Sequence, residues 1–186
     1  MSYVGNTPDT LLRWYVKIIL WLQRRRYGRE LAPSRLWART PRVFLALSVF
    51  YGALDRKSSP LAPALRSLVQ VRVSQVNGCA FCVDINSANG LARGVAADQL
   101  AALPGYAESP LYGDAEKAAL RFAESVTDST RRSDASLIDG LRRHFSEDAI
   151  VELAALVAFQ NMTSKFNAAL GVPSQNFCVI PTRSTR

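Results

Sequence analysis

The sequence predicts an all-α fold, and three observations carry that expectation. Apolar residues recur at helical spacing along the chain, as in Leu61, Leu65, Leu68, Val69, Val73 and Val76. Helix boundaries punctuate it: Thr7-Pro8, Thr40-Pro41 and Ser146 read as starts, Gly28 and Gly171-Val172-Pro173 as stops. Strand signals are nearly absent. Only Val69, Val71 and Val73 alternate with polar residues, and no other segment offers a partner for the backbone hydrogen bonds of such a strand.

The first helix is expected from Thr7-Pro8 through the apolar run Leu11 to Leu22, past Arg24-Arg25-Arg26, to Gly28. That run is too short for a bilayer, which needs about twenty apolar residues. Its only charges, Arg13 and Lys17, do not make the broad polar face of a membrane-surface helix. A helix apolar almost all round is expected to be buried, here between subunits of a homo-oligomer, with membrane contact the lesser expectation. A second helix follows Thr40-Pro41 and runs from Val43 to Leu54. The polar break Arg56-Lys57-Ser58-Ser59-Pro60 then separates an N-terminal extension, residues 1–59, from a core domain, residues 60–173. Leu61 to Val76 is read as a helix. Ala80 to Ala88 is a shorter one closed by Gly90, and Ala96 to Leu103 ends at Pro104-Gly105. Asp114 to Thr127 is amphipathic and capped by Asp114, and Ser133 opens a helix to Phe145. Ser146 caps a long helix, Glu147 to Leu170, with acids in its first turn. The tail, residues 174–186, has no periodicity.

A chain of 186 residues is long enough to bury a real core in one domain. Its net charge of +8 is unevenly placed. Residues 1–60 hold eleven Lys/Arg against three Asp/Glu, and the remainder holds twelve of each. A basic third can meet nucleic acid or an anionic surface. No nucleic-acid-binding motif accompanies it, so a solvated or inter-subunit face is expected and no nucleic-acid partner. The start, Met1 to Asn6, lacks the basic stretch of a signal peptide, and the chain has only three cysteines. A reducing cytoplasm is the expected setting, where two close cysteines are catalytic or metal-binding rather than structural.

Two of those cysteines lie in Cys79-Ala80-Phe81-Cys82, just after the Asn77-Gly78 break. A thiolate attacks peroxides and disulfides where a thiol does not. Free N–H groups and the positive end of the following helix favour that thiolate. The spacing lets the sulfurs face each other, so one oxidised cysteine can be resolved by the other. The bland alternative is a pair of small residues that simply pack. A structural zinc needs four ligands, and only Cys178 and His144, both distant, remain to complete a set. No metal or other cofactor is expected; His144 reads as a surface residue and Cys178 as a packed thiol.

The run Val73-Ser74-Gln75-Val76-Asn77-Gly78-Cys79-Ala80-Phe81-Cys82-Val83-Asp84 resembles the signature of the carboxymuconolactone decarboxylase/AhpD-like alkylhydroperoxidase superfamily. The stretch Glu152 to Asn161, running on to Leu170-Gly171-Val172-Pro173, is similar to that superfamily's closing helix. The resemblance implies an AhpD-like helical bundle that assembles as a homo-oligomer. It also implies a peroxiredoxin-type oxidoreductase that reduces hydroperoxides and recovers electrons from a dithiol donor protein. By position, Cys82 would attack the peroxide and Cys79 would resolve. The superfamily's relay glutamate and histidine correspond here to Ser67 and Asn86. Neither side chain titrates near neutral pH, so the usual proton relay is missing. Asp84 is the nearest acid, expected to pair with Arg72 or Arg93. A non-catalytic helical oligomer of the same superfamily, and a decarboxylase-like lyase, are the alternatives.

Overall fold

The computed structural model describes residues 2–130 and 135–178. Among them are nine α-helices and no strand, as the hydrophobic spacing predicts. α1 (Trp14–Tyr27), α2 (Ala32–Trp37) and α3 (Pro41–Leu54) lie in the segment expected to be an extension. The rest is α4 (Pro63–Val76), α5 (Ala80–Ala92), α6 (Ala97–Ala102), α7 (Asp114–Thr127), α8 (Ala135–Arg142) and α9 (Glu147–Ala169).

α4 is the central helix and packs against α5, α7 and α9. Its ambiguous Val69, Val71 and Val73 are all buried in a helix, because neighbours cover it on several sides. Leu68, Leu120, Leu153 and Val157 fill the interior between these elements. Each such leucine stabilises the fold by about 2 kcal/mol relative to exposure. Ser146 caps α9 by accepting the Ala149 N–H at 3.3 Å, and Gly28 ends α1 in the left-handed conformation, both as the sequence implies.

Several boundaries differ from the expectation. Thr7 does not cap α1; its hydroxyl donates to the Arg35 carbonyl at 2.6 Å, and the helix begins at Trp14. α2 carried too few apolar repeats to be read from the sequence; its six residues include Pro33 near the start. Gly90 does not close α5. A Cβ there would lie 3.4 Å from the Cβ of Ser67, so this glycine lets α5 pass close to α4, and the helix continues to Ala92. Gly113, not Asp114, is the cap of α7, and its N–H donates to the Glu116 carboxylate at 3.0 Å. The expected start of α8 at Ser133 lies outside the described residues, and the helix ends at Arg142, short of Phe145.

Within the chain, α1 is covered on one side. Val16 and Leu20 are buried with Ala38 and Phe44, whereas Trp14, Ile18, Trp21 and Leu22 are exposed. The arginines that follow are spread over several partners. Arg24 and Arg35 both bond Glu30, Arg25 covers the Trp21 ring, and Arg29 covers Phe177. No helix among the described residues is long and apolar enough to cross a membrane.

Candidate functional site

The cysteines sit where α4 turns into α5. Gly78 takes φ +63°, and the N–H groups of Gly78 and Cys79 return to the carbonyls of Gln75 and Ser74. The Asn77 side chain fastens this turn to α9 by donating to Asn161 Oδ1 at 2.9 Å and Ser164 Oγ at 2.8 Å. Cys79 is thereby the N-cap of α5, and its sulfur accepts the Cys82 N–H at 3.2 Å. Cys79 and Cys82 are joined as a disulfide, with Cα atoms 5.3 Å apart, and both are buried. The two sequence-derived cysteines therefore form one pair at a helix start.

The two sulfurs face different hollows. Cys82 lines a cavity of about 360 Å³ whose far wall comes from the extension: Ile19, Leu22, Trp37, Phe44 and Leu47. Phe81, Ile85 and Phe159 close it from the core side. Trp37 is held there by stacking on Phe166, ring centroids 3.7 Å apart. Tyr51 also lines this cavity, and burial, with smaller contributions from Tyr27 and Asp55, pushes its phenol up to about 12. It remains a hydroxyl at neutral pH. Cys79 instead lines a separate hollow with Ser74, Gly78, Ser174 and Cys178.

Ser67 and Asn86 occupy quite different places. Ser67 is fully buried between α4 and α5 and its hydroxyl accepts from Arg93 at 3.3 Å. Asn86 lines the Cys82 cavity and donates to Ser74 Oγ at 3.4 Å. Ser74 Oγ also accepts from Gln160 Nε2 at 3.0 Å, and Gln70 donates to Gln160 Oε1 at 3.4 Å. These members carry no titratable group, so no proton moves through them by ionisation. Asn167, on α9, donates from Nδ2 to the Cys82 sulfur at 3.2 Å. Gln70, Ser74, Gln160 and Asn167 escaped the sequence reading. Their signal was a row of polar residues on helices otherwise read as core: Gln70 and Ser74 four apart, and Gln160, Ser164 and Asn167 at successive turns.

Asp84 does not pair with Arg72 or Arg93. Arg72 bonds Glu124 at 2.6 Å and Arg93 bonds Asp55 at 2.8 Å. Asp84 instead holds the start of the tail, accepting from Ser174 Oγ and Gln175 N at 2.8 Å and from Cys178 N at 2.7 Å. Burial by itself would raise its carboxyl. The backbone donors of Cys178 and Phe177, the Ser174 hydroxyl and the Gln175 N–H outweigh that and hold it below the ordinary value. Burial and the Asp84 charge push the Cys178 thiol up. Because the folded-state carboxyl is lowered, its contribution is complete above the ordinary value of 3.8 and is lost as pH falls through the lowered one. The amide NMR resonances of Gln175 and Cys178, followed from about pH 6 to pH 2, should share a midpoint below 3.8. A midpoint above that value would show that the carboxylate does not hold the tail.

An all-helical bundle closed by α9 matches what comparison with known proteins finds. The model of the carboxymuconolactone decarboxylase family matches residues 41–125, a span that includes the hairpin and both cysteines. The chain belongs to the carboxymuconolactone decarboxylase family. The family match begins at α3, inside the segment read as an extension. Among relatives, YnjA of Escherichia coli (strain K12), an uncharacterised protein, is 42% identical over 180 residues, covering 97% of this chain and 99% of its own. Among solved structures, an AhpD-core peroxidase-related protein of Ralstonia eutropha JMP134 superposes with a TM-score of 0.86 at 20% identity, over 95% of this chain and 94% of that one. The debrominase Bmp8 superposes with a TM-score of 0.81 at 21% identity, over 92% and 91%. Bmp8 has also been solved as a cysteine variant in complex with 2,3,4-tribromopyrrole. These two likenesses establish the AhpD-core fold for this family member.

Proposed function

We propose that the protein is a dithiol oxidoreductase that reduces organic hydroperoxides, with Cys82 as the attacking thiol and Cys79 as the resolving one. The observation that carries the reading is a Cys79–Cys82 disulfide whose Cys82 sulfur lines an apolar cavity. The Cys82 thiolate attacks the hydroxyl oxygen of the hydroperoxide and breaks the O–O bond. Cys82 becomes a sulfenic acid, and the leaving alkoxide takes a proton from water. The Cys79 sulfur then displaces the sulfenic oxygen as water and closes the disulfide. An external dithiol returns two electrons by attacking Cys79 from its own hollow, releasing Cys82 as the thiolate, and its second thiol frees Cys79. With Ser67 and Asn86 in the relay positions, neither supplies the alkoxide's proton by ionisation, and turnover is expected to be slow.

The cavity's aromatic lining favours one further reading. A two-electron dithiol can also replace a ring halogen by hydrogen, giving halide, a proton and the disulfide. Trp37, Phe44, Phe81 and Phe159 would hold such a ring, as the name of Bmp8 and its bound bromopyrrole suggest.

The deciding experiment treats the reduced protein with cumene hydroperoxide and measures intact mass. Closure of the disulfide removes two hydrogens, a loss of about 2 Da. An unchanged mass at excess peroxide rules out the peroxidase reading. The same measurement with a bromopyrrole, together with bromide release, then tests the other.

A further inference from the structure

Asn167 is 3% exposed and lines the Cys82 cavity. Its Nδ2 bonds the Cys82 sulfur at 3.2 Å, while its Oδ1 is buried with no hydrogen-bond partner. Only one other buried side-chain nitrogen or oxygen among the described residues shares that condition, Arg66 Nε, outside the lining of this cavity. An unpaired buried amide oxygen is costly, a condition that a fold built only for stability would avoid. Rotating the amide by half a turn is disfavoured, because it sets the oxygen against sulfur lone pairs. The nearby amides behave differently: Gln160 and Asn86 both donate to Ser74 Oγ, and Gln70 donates to Gln160.

We propose that Asn167 is a substrate-binding residue of the Cys82 site. Its NH2 group holds the sulfur as a thiolate, and its carbonyl accepts a hydrogen bond from an O–H or N–H at the substrate's reacting end. This rests on the reading of Cys82 as the attacking thiol. In a hydroperoxide the donor is the O–H on the oxygen under attack, so one side chain aligns nucleophile and electrophile. The amide exchanges no proton. It weakens its bond to sulfur as the thiolate charge passes to the O–O bond, and the alkoxide still leaves to be protonated by water. The substrate class that follows is an apolar body, able to sit among Trp37, Phe44 and Phe159, with a single hydrogen-bond donor next to the reacting atom.

The test uses full-length protein carrying Cys79→Ser and Cys178→Ser, so that Cys82 is the sole thiol; serine at position 79 keeps a capping oxygen. The rate of iodoacetamide alkylation is measured against pH. Asn167→Leu should raise the midpoint by about one pH unit and slow alkylation about tenfold at pH values below the original midpoint, the loss expected from one hydrogen bond to a charged sulfur. Asn167→Ala, which adds no bulk, should give the same direction and serves if the leucine variant does not fold. A midpoint unmoved in a folded variant overturns the thiolate role. The rate with cumene hydroperoxide, divided by the thiolate fraction, should fall a further threefold to tenfold for the lost acceptor; equal corrected rates overturn the substrate contact. Alkylation involves no peroxide. A shifted midpoint without peroxide-driven oxidation therefore sinks the peroxidase reading and leaves the thiolate role standing.

Discussion

Cys82→Ser is expected to abolish oxidation by hydroperoxide, with the rate falling at least a thousandfold, to that of a bystander thiol. Cys79→Ser should behave differently. With Cys178 also replaced by serine, its Cys82 still attacks, gains one oxygen as a sulfenic acid, and stops there, because no second sulfur displaces the oxygen. Intact mass separates the two: no change for the first variant, a gain of one oxygen for the second. The reverse pattern would exchange the roles of the cysteines. The geometry makes the roles unequal in advance, since Cys82 alone lines the apolar cavity and carries the Asn167 amide. Cys79 caps α5 and faces the hollow on the other side.

The largest expected effect on stability comes from Asp55. Its carboxylate bonds Arg93 at 2.8 Å and also neighbours Arg66 at 3.8 Å and Arg26 at 3.9 Å. One acid thus serves three guanidinium groups. The Arg66 side chain is 4% exposed and that of Arg93 14%. Asp55→Ala leaves both as nearly buried cations close together, a condition that costs about 3–5 kcal/mol. That is a large part of the total for a domain of this size, about 5–15 kcal/mol. The denaturation midpoint should fall accordingly, and a loss below about 1 kcal/mol would show that the carbonyls of Leu54 and Arg56, which Arg66 also bonds, suffice. Asp139→Ala, at an exposed pair with Arg142, should leave the curve where it is.

The helices were legible because burial writes a period into them. α4 could be read from Leu61 to Val76, and α9 from its serine cap to Gly171-Val172-Pro173. Cys79 and Cys82 were legible because sulfur is rare in this chain and its spacing carries chemistry. Asn167 was hidden by the same periodicity that revealed α9: a polar residue on a core face shows its partners only after three helices have met. Asp84 was misread for a related reason. Its partners lie about 90 residues away, in a tail with no pattern of its own, and they are mostly backbone N–H groups, which every residue type except proline can supply.

The wall of the Cys82 cavity has two sources. Cys82 and the Asn167 amide come from α5 and α9, while much of the remaining surface comes from α1 to α3. Reactivity and selectivity are therefore written in separate stretches of chain. Exchanging Ile19, Leu22, Phe44 or Leu47 for larger or smaller side chains changes which molecules reach the sulfur without altering the bonds that set its reactivity. On the proposed function, drift in the first sixty residues would alter the substrates admitted while the cysteine pair beneath them stays unchanged.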